Sequence, residues 1–94
     1  TQGVSSAASD VYKRQVYRTA KYIFQANTSS AYESSEVLIT HNGATAYKNV
    51  YATVNSGASL GNVTATVSGS NVLVRYTADN NNTNVRILKQ YLII

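Results

Sequence analysis

The 94-residue chain contains no cysteine, proline, methionine or tryptophan. Without cysteine there is no disulfide to brace a small fold, and no thiolate for catalysis or metal binding. One histidine and four scattered carboxylates leave little from which to build a metal clip. No apolar run approaches the ~20 residues that a bilayer-spanning helix needs, and the apolar C-terminal run "YLII" is only four residues long. Concentrated charge is missing too. Eight Lys and Arg against four Asp and Glu give a net +4, but beyond the first turn of sequence the cations are dispersed. A nucleic-acid surface would show a basic stripe. Neither nucleic acid nor membrane insertion is expected. A chain this short buries only about 60–65% of its unfolded surface. Its stability must therefore come from a sheet core, from neighbouring domains or from oligomerisation. No basic segment precedes an apolar run in the manner of a signal peptide. With no methionine at position 1, the chain is expected to be a processed product, an excised domain or part of a longer reading frame.

Residues 4–15, "VSSAASDVYKRQ", differ in character from the rest. They show no strand alternation of useful length and no apolar face. Their physical chemistry predicts a disordered leader, or a short helical turn capped by Ser9 or Asp10. The stretch also resembles the translation product of sequencing-adapter read-through found in metagenome-derived sequences. That resemblance implies a non-native leader over residues 1–15 and a domain over residues 16–94.

From Val16 onward the pattern is β. "VYRTAKYIFQANT" alternates, with Ala20, Tyr22, Phe24 and Ala26 on one face, and predicts a strand from Tyr17 to about Ala26. "NTSSAYES" reads as a loop. "SEVLITHNGATAYKNVYATV" places Asn42-Gly43 between two β patterns. That dipeptide tolerates positive φ at both turn positions, so a hairpin is expected there. Its second arm, residues 44–54, is long enough to bend near Asn49 or to carry a bulge. Leu60 is expected to tuck inward from "NSGASLGN". "NVTATVS" sets Val63, Ala65 and Val67 against Thr64, Thr66 and Ser68, as in a sheet wetted on one side. "VLVRYTA" groups Val72, Val74 and Tyr76. "VRILKQYLII" is apolar on both faces, which predicts burial on both sides or continuation into something further. The prediction is an all-β fold: a small antiparallel β-sandwich, jelly-roll-like, of six to seven strands. Without proline, its edge strands must be protected by residues such as Lys48 and Arg75, or covered by a partner.

The segments "YRTAKYIFQ" and "SSEVLITHNGATAYKNVYATVNSGASLGNVTATVSGSNVLVRYTADNNNTNVRIL" resemble a domain of tailed-phage virion proteins, abundant in T4-like marine phages and notably cyanophages. The similarity spans residues 17–88. It is carried by the Tyr17-Arg18-Thr19-Ala20-Lys21-Tyr22 strand, the hairpin of residues 36–43 and the loop of residues 51–61. The apolar "KQYLII" departs from the family's polar closing strand. The resemblance implies a non-enzymatic structural or appendage role in the virion, as a tail-fibre or baseplate-associated part. It also implies other virion proteins or copies of the chain as partners, a homotrimer by analogy, and no cofactor.

Few residues carry reactive chemistry. His41 flanks a turn with no base or nucleophile grouped around it. Glu33 and Glu36 are three apart, on opposite faces of a strand, so they do not form a glycosidase pair. Glu36 is expected to pair across strands with a lysine such as Lys48. "DNNNTN" offers calcium a single carboxylate, and "GASLG" lacks the lysine of a phosphate loop. No catalytic, cofactor or metal residues are predicted. Tyr22, Phe24 and Tyr76 are expected in the core. Tyr32, Tyr47 and Tyr51 are candidates for an exposed surface. Beside Asn-rich loops such rings could pack on sugars, so a carbohydrate-binding module for a host cell-surface glycan is the alternative function. The same three residues also fit simple packing on a sheet face.

Overall fold

A computed structural model describes residues 7–80 and 82–94. Seven strands run in chain order: β1 (Ala7–Lys13), β2 (Tyr17–Asn27), β3 (Tyr32–His41), β4 (Ala46–Asn55), β5 (Gly61–Ser68), β6 (Asn71–Ala78) and β7 (Asn84–Ile93). They form a three-stranded sheet, β1-β6-β5, facing a four-stranded sheet, β4-β3-β2-β7. Every pairing is antiparallel, and no helix occurs among the described residues. The larger sheet is a β2-β3-β4 meander with β7 laid beside β2. This is a simpler route than the eight strands and two Greek keys of a full jelly roll.

The two-residue alternation does the sorting. On β2, Ala20, Tyr22, Phe24 and Ala26 point inward, and on β3 so do Glu33, Ser35, Val37, Ile39 and His41. Val72, Val74 and Tyr76 of β6, Val63 of β5 and Leu60 complete the core from the other side. The rings of Tyr22 and Phe24 stack at 5.6 Å, and those of Phe24 and Tyr76 at 5.7 Å. Such contacts add about 0.5–1.5 kcal/mol each beyond the area they bury.

The turns follow local chemistry. Ser68 pairs with Asn71, leaving the two-residue loop of Gly69 and Ser70. Gly69 has φ 61°, whereas no non-glycine residue among those described has positive φ; one positive φ, at the first central position, is the signature of a type II′ hairpin. The hairpin at Asn42-Gly43 forms as expected, but by another route. Only Gly43 has positive φ (95°), and Asn42 Oδ1 accepts from the amides of Ala44 and Thr45 at 2.9 and 2.8 Å. This side-chain-closed turn replaces the two-residue turn. The expected irregularity in the second arm is a bulge. Glu36 pairs with Ala52 while Val37 pairs with Val50, so Tyr51 is the extra residue. Gly61 is required by space, since a Cβ there would lie 2.3 Å from the carbonyl oxygen of Thr77.

Three expectations are corrected. The loop of residues 27–34 shrinks to four residues, because Thr28 Oγ1 closes a tight turn on the amides of Ser30 and Ala31 and β3 already begins at Tyr32. β7 is not buried on both faces. Leu88 and Leu92 stay exposed because no described residue covers the outer side of the larger sheet, and Ile93, at the strand's end, is 75% exposed. The third concerns the leader. Residues 1–6 lie outside the described residues, but residues 7–13 are neither disordered nor helical. They form β1, paired along its whole length with β6. Short polar side chains at Ser9 and Asp10 hid the alternation that sends Asp10 and Tyr12 inward.

β1 is tied in by more than backbone. Tyr12 is 4% exposed, and its ring meets Tyr91 at 5.2 Å and Tyr17 at 6.4 Å. Deleting residues 1–13 therefore removes a ladder and uncovers Tyr22, Tyr17 and Tyr91. The truncated chain is expected to lose cooperative unfolding in urea, or to unfold at a midpoint several molar lower. An unchanged midpoint would show the segment to be expendable, as a leader would be.

Candidate functional site: the outer face of the larger sheet and the cleft beside it

The register places the outward residues of the larger sheet in rows. One row joins Leu88, Ile23, Glu36 and Ala52; the next joins Gln90, Lys21, Leu38 and Asn49; a third joins Leu92, Thr19, Thr40 and Tyr47. Apolar and polar groups are interleaved, with Leu88, Leu92 and Leu38 all exposed. Glu36 stands between two partners. Lys21 Nζ lies 4.0 Å from it, and Tyr51 hydrogen-bonds to it, which raises that phenol above its ordinary value. The expected Glu36–Lys48 pair does not form, because Lys48 sits opposite Ile39, on the inward side of β4.

Tyr32, Tyr47 and Tyr51 are all exposed on this face. Tyr32 lies near the turn into β3. Tyr47 and Tyr51 are four residues apart on β4, about 13 Å along a strand. The Tyr47 hydroxyl accepts from Asn42 Nδ2 at 3.2 Å. The three rings share a surface without converging on one pocket.

Two inward carboxylates were missed from sequence. Glu33 is buried between the sheets. Its Oε2 accepts from the Tyr76 hydroxyl at 2.9 Å, and its Oε1 from the Leu60 amide at 2.9 Å. Burial, then this hydrogen bond, raises the Tyr76 phenol. The signal was available: Glu33 is in phase with Ser35, Val37 and Ile39. Asp10, its side chain 12% exposed, accepts from the Tyr22 hydroxyl at 2.7 Å, from the Tyr91 hydroxyl, and from Lys89 Nζ at 2.7 Å. Burial alone would raise its pKa, but the bonds from Lys89, Tyr91 and Tyr22 outweigh it and hold Asp10 below the ordinary carboxylate value. Burial, followed by the field of Tyr91 and Asp10, pushes the Tyr12 phenol up to about 12.

His41 is fully engaged by backbone. Its Nε2 lies 2.7 Å from the Tyr17 carbonyl oxygen, and its Nδ1 accepts from the Gly43 amide at 3.0 Å. Only the neutral ring with the proton on Nε2 satisfies both, so neither nitrogen is available as a base. Among the described residues no three His, Asp or Glu side chains gather as metal ligands. A cleft of about 250 Å³ opens between the inner side of β4 and β5. It is lined by Lys48, Val50 and Thr53 on one wall, Asn62 and Val63 on the other, and Glu33 at its base. Both Glu33 oxygens are already engaged.

The fold and these surfaces define a small antiparallel β-sandwich that presents sheet faces and edges. No family model and no curated protein matches the chain. Among solved structures it is similar to the tailspike protein of Acinetobacter phage vB_ApiP_P1, at 16% identity and a TM-score of 0.49, over 97% of this chain and 21% of that one. It is also similar to the tailspike protein of Acinetobacter baumannii phage AM24, at 8% identity and a TM-score of 0.43, over 94% of this chain and 26% of that one. The chain thus spans about a fifth to a quarter of the length of these proteins.

Two tests follow from the carboxylates. Glu33→Ala leaves a buried amide and a buried hydroxyl without an acceptor, and is expected to cost about 2–4 kcal/mol in urea unfolding. Glu36→Ala breaks only an exposed pair and is expected to cost under about 1 kcal/mol. The second test is the pH dependence. A depressed Asp10 stabilises the fold above its unfolded value near ~3.9, and that contribution is lost as pH falls below it. A raised Tyr12 does the reverse: its contribution is complete below pH 10 and lost as pH rises from 10 to about 12. Asp10→Asn should flatten the acid limb of a thermal-melt profile, and Tyr12→Phe the alkaline limb.

Proposed function

We propose that this chain is a non-enzymatic structural or appendage domain of a tailed-phage virion, tail-fibre or baseplate-associated, that works by packing against other virion proteins or copies of itself. One observation carries the reading. Leu88 and Leu92 form an exposed apolar strip on the outer face of β7, and Ile93 and Ile94 beyond them are exposed as well, the opposite of what a free-standing closing strand needs. The resemblance of residues 17–88 to a virion domain family supports the same reading. The family analogy makes the assembly a homotrimer.

The exposure of Tyr32, Tyr47 and Tyr51 on one face favours a second reading, a module that binds a host cell-surface glycan. Sedimentation and a glycan array separate the two. Assembly predicts concentration-dependent oligomers that Leu88→Lys with Leu92→Lys weakens, and no glycan binding. Glycan recognition predicts array binding that falls at least tenfold in Tyr47→Ala or Tyr51→Ala. A strict monomer that binds no glycan would refute both.

A further inference from the structure

The two sheets differ by one strand, and the deficit lies on one flank. β5 is the edge of the smaller sheet and β4 the edge of the larger. The inward side of β4, set by the pairing of Lys48 with Ile39, Val50 with Val37 and Thr53 with Ser35, should be covered by the opposite sheet. It is not. Lys48, Val50 and Thr53 are all exposed, Val50 at 41%. Beside this bare floor stands the free edge of β5, and the 250 Å³ cleft runs between them. An edge offering unpaired backbone groups above an uncovered floor is a step the width of one strand, given spacings of ~4.8 Å within a sheet and ~10 Å between sheets.

We infer that this step is a docking place for one extended β-strand of another polypeptide, which completes the smaller sheet as its fourth strand. The inference rests on the assembly reading above and specifies how one partner attaches. Edge protection points the same way. On the opposite flank β1 carries Asp10 and Lys13, and β7 carries Arg86 and Lys89, with the Asp10–Lys89 ion pair closing the gap at 2.7 Å. β5, "GNVTATVS", carries no charge, no proline and no register shift. A regular, neutral edge is what strand addition requires and what free-standing edges avoid. The occupant's chemistry is read from the walls. Backbone bonds go to β5, small or β-branched apolar side chains face Val50 and Val63, and a carboxylate answers Lys48, the lone charge on β4. Tyr51, the bulged residue, kinks the outer edge of β4, so the step between β4 and β5 is the better template on this flank.

Residues 63–67 read Val-Thr-Ala-Thr-Val in both directions. A peptide copy of residues 62–68 laid antiparallel on β5 therefore sets valine against valine and threonine against threonine, the favourable cross-strand pairs. That peptide, extended by one C-terminal glutamate to meet Lys48 beside Gly61 and Asn62, is the probe, titrated into the full isotope-labelled chain and followed by amide shifts and hydrogen exchange. Saturable shifts confined to residues 62–68 of β5 and to Val50 and Thr53, with new protection of β5 amides, are expected. Thr66→Lys or Val50→Lys, each at an exposed or half-exposed position that leaves the thermal midpoint within a few degrees, should weaken binding at least tenfold. A peptide with proline at alternate positions should not bind. Absence of saturable shifts at millimolar peptide, equal binding of the proline peptide, or shifts centred on Leu88 and Leu92 would each overturn the inference. Oligomers lost only in the Leu88 and Leu92 variants, with no peptide binding, would leave the assembly reading standing and this one refuted.

Discussion

Tyrosine hydroxyls donating to shielded carboxylates tie one sheet to the other, and the same device is used at both ends of the core. At one end Glu33 of β3 receives Tyr76 from β6 and, on its other oxygen, the amide of Leu60. At the other end Asp10 of β1 receives Tyr22 from β2 and Tyr91 from β7, with Lys89 alongside. Apolar contact is non-directional and would let two sheets of valine and alanine slide. A carboxylate with fixed phenol partners does not, because a shift of one residue leaves buried donors unmet, at about 1–3 kcal/mol each. In a chain with no disulfide, these bonds set the alignment of the layers.

The aromatic rings extend this tie into a continuous spine. Tyr17, Tyr12 and Tyr91 cluster at one flank, Tyr22 joins them edge-on at 6.5 Å from Tyr91, and Phe24 and Tyr76 continue the stack. The flank it closes is the one with the ion pair. The other flank, where β4 overhangs β5, has no ring spanning the gap and no charge except Lys48. The molecule is therefore asymmetric: one side is sealed by its own side chains, and the other is left open among the described residues.

His41 shows how a reactive residue type can be wholly structural. It sits where β3 meets its turn, and it links that turn to Tyr17 through one nitrogen and to Gly43 through the other. Arg18 adds a bond to the His41 carbonyl at 2.9 Å. The start of β2 and the Asn42-Gly43 hairpin are thereby held together, and the residues most prominent in the family resemblance serve the architecture of the fold.

Alternation by itself determined most of the strand positions from Tyr17 onward, the inward sets on β2 and β6, the Asn42-Gly43 hairpin and the inward position of Leu60. Each depends on side chains two residues apart or on local turn chemistry, which any short window of sequence contains. Tertiary structure alone decided the rest. Residues 7–13 became a strand because β6 offered an edge, and Asp10 and Tyr12 found partners up to 81 positions away. Glu33 turned inward because its phase outweighed its charge once Tyr76 and Leu60 were present to receive it. Lys48 missed Glu36 because a bulge at Tyr51 changed the face on which each half of β4 points. Long-range pairing chooses partners after the local pattern has chosen faces, so the faces could be read in advance and the partners could not.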